Sequence, residues 1–167
     1  TLMQEVNYCS KPDQVKVFPG VVEALQKLSE RGYLLIVISN QAGIGRGYFN
    51  EEDYRAVESE LGRQLLPALI DASYFCPDHP DRPTQRRKPG VGMLLEAQRD
   101  FLIDLSRSFF VGDKAIDIEC GRNAGLRTIL VRTGYGAAEA EHARANWVAD
   151  DFAGAAKIIL GLSDNSG

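Results

Sequence analysis

Two carboxylates four residues apart, Asp113 and Asp117, follow the apolar run Phe109-Phe110-Val111-Gly112. Such a run, stopped at Gly-Asp, reads as a buried parallel strand that leads into a helix. Asp113 then lies at the carboxyl end of a strand, where open α/β sheets bind ligands. Asp113 and Asp117 share one face of the first helical turns. Paired carboxylates in that place suit a hard cation such as Mg²⁺. The plainer alternative is a helix cap at Asp113 and a surface residue at Asp117.

Two more groups carry chemistry. Ser39-Asn40-Gln41 ends the apolar run 33–38. A hydroxyl and two amides at a strand exit can donate to an anion, although Ser and Asn are also ordinary turn residues. The loop Gly43-Ile44-Gly45-Arg46-Gly47 adds open backbone and one cation, and by itself reads as a flexible turn. Arg86-Arg87-Lys88-Pro89 places three cations at the end of a long loop, ahead of a helix. There they can reach a phosphate, or they form a solvated surface run. His79 and His142 have no Cys or His at ligand spacing.

The elements that must position these groups alternate along the chain. Helices are expected at 21–31, 51–66, 91–101, 114–124 and 151–160. Strands are expected at 33–38, 72–75, 108–111, 127–131 and, briefly, 147–148. Asn50 is a suitable N-cap for the second helix, with Glu51, Glu52 and Asp53 in its first turn. The alternation predicts an α/β fold: a parallel sheet with helices on both faces, in three layers. Residues 1–162 form a single domain and 163–167 a flexible tail.

Composition narrows the function classes. A chain of 167 residues suffices for one domain with a real core. A net charge of -4 argues against general nucleic-acid binding. No apolar run approaches the roughly 18 residues of a membrane span. Cys9, Cys76 and Cys120 are odd in number and widely spaced, and read as reduced thiols of a cytosolic protein.

The three groups resemble, in order and spacing, the haloacid dehalogenase (HAD) phosphatase superfamily. The stretches Val17-Phe18-Pro19-Gly20, residues 39–49, Arg87-Lys88-Pro89, Val111-Gly112-Asp113-Lys114 and residues 131–136 resemble its histidinol-phosphatase/heptose-bisphosphatase family. The resemblance implies a Rossmann-like HAD fold without a large cap domain. It implies a Mg²⁺-dependent phosphomonoesterase that works through an aspartyl-phosphate. On that basis Asp113 ligates Mg²⁺ and Asp117 supports the metal or its waters. Ser39 donates to a phosphoryl oxygen, and Lys88 neutralises transition-state charge. Arg87 recognises substrate and Lys114 contacts it. Glu5, Val6, Asn7 and Tyr8, with Asn40, Gln41 and Ala42, fall where the family contacts its sugar.

Two departures stand out. The family's first motif is DxDGT, and Thr1 aligns with its final threonine. The nucleophile, the general acid and the whole first strand are then expected upstream of residue 1. Family members also often carry Cys-x-His and Cys-x-Cys as four zinc ligands. Here Cys76-Pro77-Asp78 stands for the first pair, with His79 one place late, and Thr84-Gln85-Arg86 stands for the second. No zinc is expected, and the loop must be held by other means.

The substrate implied is a sugar bisphosphate, foremost the 7-phosphate of D-glycero-D-manno-heptose 1,7-bisphosphate, in cytoplasmic lipopolysaccharide synthesis. Histidinol phosphate is the second candidate. A catalytically inactive phosphosugar-binding protein is the reading if the chain begins at Thr1. A receiver-type signalling domain shares the layout, but the long loop with Arg87-Lys88 and the segment 39–49 speak against it. The resemblance further implies a monomer without nucleic-acid or membrane partners.

Overall fold

The computed structural model describes residues 1–164. Five strands alternate with helices: α1 (Val21–Glu30), β1 (Ile36–Asn40), α2 (Ala42–Gly45), α3 (Glu51–Leu65), β2 (Ala72–Cys76), α4 (Gly92–Phe101), β3 (Phe109–Gly112), α5 (Ala115–Asn123), β4 (Arg127–Val131), α6 (Gly136–Glu139), β5 (Trp147–Ala149) and α7 (Phe152–Asp164). Most expected boundaries hold within two residues. β1 starts three residues later and runs through Asn40, and α7 runs four residues past its expected end, to Asp164. The stagger of β1 against β2 pairs Ile36 with Ala72 and Asn40 with Cys76, which carries the ladder past the apolar run. The glycine-rich loop contains the short helix α2, and α6 was not foreseen. His142 lies in a turn that follows α6. The proposed tail starts inside α7 at Ser163, and residues 165–167 lie outside the described residues.

α1 shows why the pattern works. Val21, Ala24, Leu25 and Leu28 repeat at helical spacing, and all four are buried. α3 begins on a reciprocal cap: the Asp53 amide donates to Asn50 Oδ1 and the Asn50 amide to Asp53 Oδ2, both at 2.9 Å.

All strand pairs are parallel, in two sheets of order β1-β2 and β3-β4-β5. Side-chain alternation divides each strand between two helix layers. Ile129 and Val131 of β4 pack with α1 and α7. Leu130 between them packs with Ile118 of α5. In β3, Phe109 and Val111 join the first layer, while Phe110 joins Leu94, Cys120 and Leu126 on the other. Helices thus cover both faces, as parallel strands require.

A single continuous sheet was the simplest expectation. Among the described residues, β1 and β3 do not pair. Their facing edges line a cleft of about 1410 Å³, which α1, α4 and α7 also line. The segment ahead of α1 is pinned to α3 by Gln64. The Gln64 side chain accepts from the Val17 amide at 3.2 Å and donates to the Val15 carbonyl at 2.9 Å. A Met3–Val17 bridge turns this segment back across the cleft mouth.

Candidate active site

The carboxyl ends of β1 and β3 open onto the same cleft. The thirteen residues to which the family resemblance gives a role line it: Glu5, Val6, Asn7, Tyr8, Ser39, Asn40, Gln41, Ala42, Arg87, Lys88, Asp113, Lys114 and Asp117. Four separate segments therefore converge at one mouth.

Lys88 is the most tightly built of these groups. It is 9% exposed. Its backbone is clasped by Asn40, whose Nδ2 donates to the Lys88 carbonyl at 3.1 Å while Oδ1 accepts from the Lys88 amide at 3.0 Å. Its ammonium donates to the Ile38 carbonyl at 2.8 Å and pairs with Asp117 Oδ1 at 2.7 Å. Two of the three ammonium hydrogens are thus engaged, and one is left for an anion. Asp117 Oδ2 accepts from the Lys114 amide at 3.1 Å, at the start of α5. Asp117 can approach β3 this closely only because residue 112 is glycine. A Cβ there would lie 2.4 Å from Asp117 Cβ.

Asp113 is 7% exposed and well supplied with donors. Its Oδ1 accepts from the Thr1 hydroxyl at 2.6 Å and from the Thr1 backbone nitrogen at 3.1 Å. Its Oδ2 accepts from the Tyr135 amide at 3.2 Å. Burial pushes this carboxyl up, while the hydrogen bonds from the Thr1 hydroxyl and the Tyr135 amide pull it down. Asp113 is ionised at neutral pH.

Ser39 Oγ accepts from Gln41 Nε2 at 2.8 Å, which leaves its own proton free to donate. Arg87 Nη1 donates to the Asp78 carbonyl at 3.3 Å. The loop 76–90 is held by polar contacts. Asp78 Oδ2 accepts from the Thr84 amide at 2.7 Å, and Arg86 makes a two-point contact with Glu96 at 2.7 and 3.1 Å. Among the described residues, no group of three His, Cys, Asp or Glu side chains could hold a metal ion. A Mg²⁺ ion commonly uses only one or two carboxylates and completes its shell with water and phosphate. An ionised Asp113 at the mouth fits that requirement.

Sequence reasoning assigned no role to Gly134 and Tyr135. Gly134 adopts φ +63, and a Cβ there would lie 2.4 Å from Asp113 Oδ2. The available signal was the glycine pair in Thr133-Gly134-Tyr135-Gly136, directly after β4.

An α/β fold, with a carboxylate at the end of β3 and a buried lysine and a serine on the same cleft, is the layout of a HAD-like hydrolase. A HAD-hydrolase-like family model matches residues 85–155. The chain is 39% identical to D-glycero-D-manno-heptose-1,7-bisphosphate 7-phosphatase of Thermosynechococcus vestitus, over 95% of this chain and 90% of the relative. It is 37% identical to the D-glycero-beta-D-manno-heptose-1,7-bisphosphate 7-phosphatase of Pasteurella multocida, over 97% and 93%. The crystal structure of D,D-heptose 1,7-bisphosphate phosphatase from B. bronchiseptica, complexed with magnesium and phosphate, superposes with a TM-score of 0.90. That pair is 28% identical and covers 97% of this chain and 94% of the other. The chain belongs to the D-glycero-D-manno-heptose-1,7-bisphosphate 7-phosphatase family of HAD phosphatases.

Proposed function

We propose that this chain is a Mg²⁺-dependent phosphomonoesterase that removes the 7-phosphate of D-glycero-D-manno-heptose 1,7-bisphosphate. The observation that carries the reading is Lys88, buried at the mouth with one ammonium hydrogen uncommitted and Asp117 fixing its direction. A phosphoryl group leaves through a transition state with charge on its equatorial oxygens, so fixed donors aimed at them lower the barrier. Lys88 donates to one such oxygen. Ser39 donates to another, its lone pair held by Gln41 so that the hydroxyl proton points away. Arg87 supplies a further cation from the same loop. Asp113 would hold Mg²⁺, with Asp117 supporting the site through Lys88 and the start of α5. When bound, Mg²⁺ supplies charge that offsets repulsion between a carboxylate nucleophile and the phosphate.

The nucleophile would be an aspartate that forms an aspartyl-phosphate, with a second aspartate as general acid and base. The cleft between β1 and β3 supports its placement on a strand seated there. Among the described residues no strand pairs with either facing edge, and a further strand would satisfy their backbone groups. Thr1 stands at the Asp113 end of that cleft.

The sugar would lie against Glu5, Val6, Asn7, Tyr8, Asn40 and Ala42, with Lys114 also in contact. The enzyme would act in the cytosol as a monomer, with no zinc. Phosphate release from heptose 1,7-bisphosphate, histidinol phosphate and other phosphosugars tests the reading. Preferred turnover of the heptose bisphosphate is expected, and equally slow turnover of all would refute it.

A further inference from the structure

Lys114, next to Asp113 in the cleft, is a cation that the proposed phosphoryl site does not use. Lys114 Nζ sits 4.2 Å from the centroid of the Tyr135 ring. Among the described residues it has no carboxylate partner. Its neighbour in the site, Lys88, is by contrast neutralised by Asp117. A lysine held on a ring face keeps its charge for an incoming anion, because no carboxylate has to be displaced first.

Tyr135 is itself fixed at both ends. Its amide donates to Asp113 at 3.2 Å, and its hydroxyl donates to Glu5 Oε1 at 3.3 Å. Gly134 locks the turn that feeds it, since its φ of +63 and its approach to Asp113 exclude a side chain. One residue therefore spans from Asp113 to Glu5, and its ring sets where the Lys114 charge stands relative to Asp113.

We propose that Tyr135 is a specificity-determining residue, which poses Lys114 for a second anionic group of the substrate, remote from the phosphate being cleaved. This rests on the phosphatase reading above. Glu5, at the far end of the ring, repels anions and accepts hydrogen bonds from hydroxyls. The combination suits a polyhydroxylated sugar with phosphates at both ends and disfavours a phosphomonoester with a neutral or cationic tail.

The test compares heptose 1,7-bisphosphate with the same heptose bearing only the 7-phosphate, using the full chain. In wild type the KM ratio favours the bisphosphate. Tyr135→Leu is expected to reduce that preference roughly 3- to 10-fold, through KM rather than kcat. Tyr135→Phe, which keeps the ring, is expected to retain it within about twofold. Lys114→Met is expected to lose it, and adding Tyr135→Leu to that variant should change nothing further. An equal loss on both substrates in Tyr135→Leu, or an unchanged preference in Lys114→Met, overturns the inference. If wild type hydrolyses neither compound, the phosphatase reading fails, and calorimetric titration with the same two compounds gives the ratio as Kd and still decides the role of Tyr135.

Discussion

Removing one partner of the Lys88–Asp117 pair should destabilise the protein far more than removing both. The side chains are 9% and 8% exposed and meet at 2.7 Å. In Asp117→Leu, the Lys88 ammonium keeps the Ile38 carbonyl at 2.8 Å and the Phe110 ring face at 5.6 Å but loses its counter-charge, and the Lys114 amide loses its acceptor. An uncompensated buried charge typically costs about 3–5 kcal/mol. For a chain of this size that lowers Tm by roughly 6–20 °C, at about 2–4 °C per kcal/mol. Lys88→Met leaves Asp117 equally stranded, apart from the Lys114 amide, and should cost a similar amount. The double variant Lys88→Met/Asp117→Leu replaces a charged pair with apolar groups of similar volume. Its stability should return to within about 2 kcal/mol of wild type, because the desolvation of both charges is relieved together. Urea unfolding of the four proteins, with unchanged m-values, measures the cycle. Single losses below about 1 kcal/mol, or a double variant equal to the sum of the singles, would refute the view of Lys88 as a buried, partnered cation. Activity separates from stability here. All three variants should lose about 10²–10³ in kcat, since each removes or misplaces a donor to the phosphoryl group.

Further outcomes follow from the same geometry. Gly134→Ala should cost about 1–3 kcal/mol through its positive φ and depress activity by pushing on Asp113, as thermal melts and phosphate release will show. Chelation by EDTA should abolish phosphate release and Mg²⁺ should restore it, while metal analysis of the purified protein should find no stoichiometric zinc. Burial raises the Cys120 thiol to about 11, so at pH 8 Cys120 should react with Ellman's reagent only on unfolding. The same shift has a sign in stability. The unfolded thiol ionises near pH 9 and the folded one only near 11, so Cys120's contribution is present below pH 9 and is lost as pH rises through that window. Glu96→Gln should loosen the loop 76–90 by weakening the Arg86 contact, and hydrogen exchange across that loop will report it.

The elements were largely legible because their signals are local. Asn50 followed by three acids names a helix start whatever lies around it, and the apolar run of β4 is continuous because helices cover both its faces. The candidate residues come from residue type, strand-end position and the family resemblance, and the thirteen line one cleft. What sequence could not supply is direction. The Asn40 side chain clasps the Lys88 backbone across 48 residues of chain, and no periodicity encodes that. Tyr135 escaped notice for a similar reason, since its amide and hydroxyl act on Asp113 and Glu5, which lie 22 and 130 residues away. α2 and α6 were invisible because four-residue helices rich in glycine and alanine carry no amphipathic pattern.

The spacing of Asp113 and Asp117 shows how one sequence feature can hold two jobs. Carboxylates four apart at a strand end suggest joint ligation of one cation. In the fold, both Asp117 oxygens are engaged, one by Lys88 and one by the amide that starts α5. Asp113 faces outward to Thr1 and Tyr135 instead. A cation bound by both would have to compete with the Lys88 ammonium for Asp117, and displacing that ammonium would unseat a donor needed for the phosphoryl group. Under the proposed function a division of labour avoids the conflict: Asp113 would meet the metal, and Asp117 would keep Lys88 pointed at the phosphate. The arrangement also explains the glycine at 112, because Asp117 must come close against β3 to reach Lys88 while leaving Asp113 free at the strand's end.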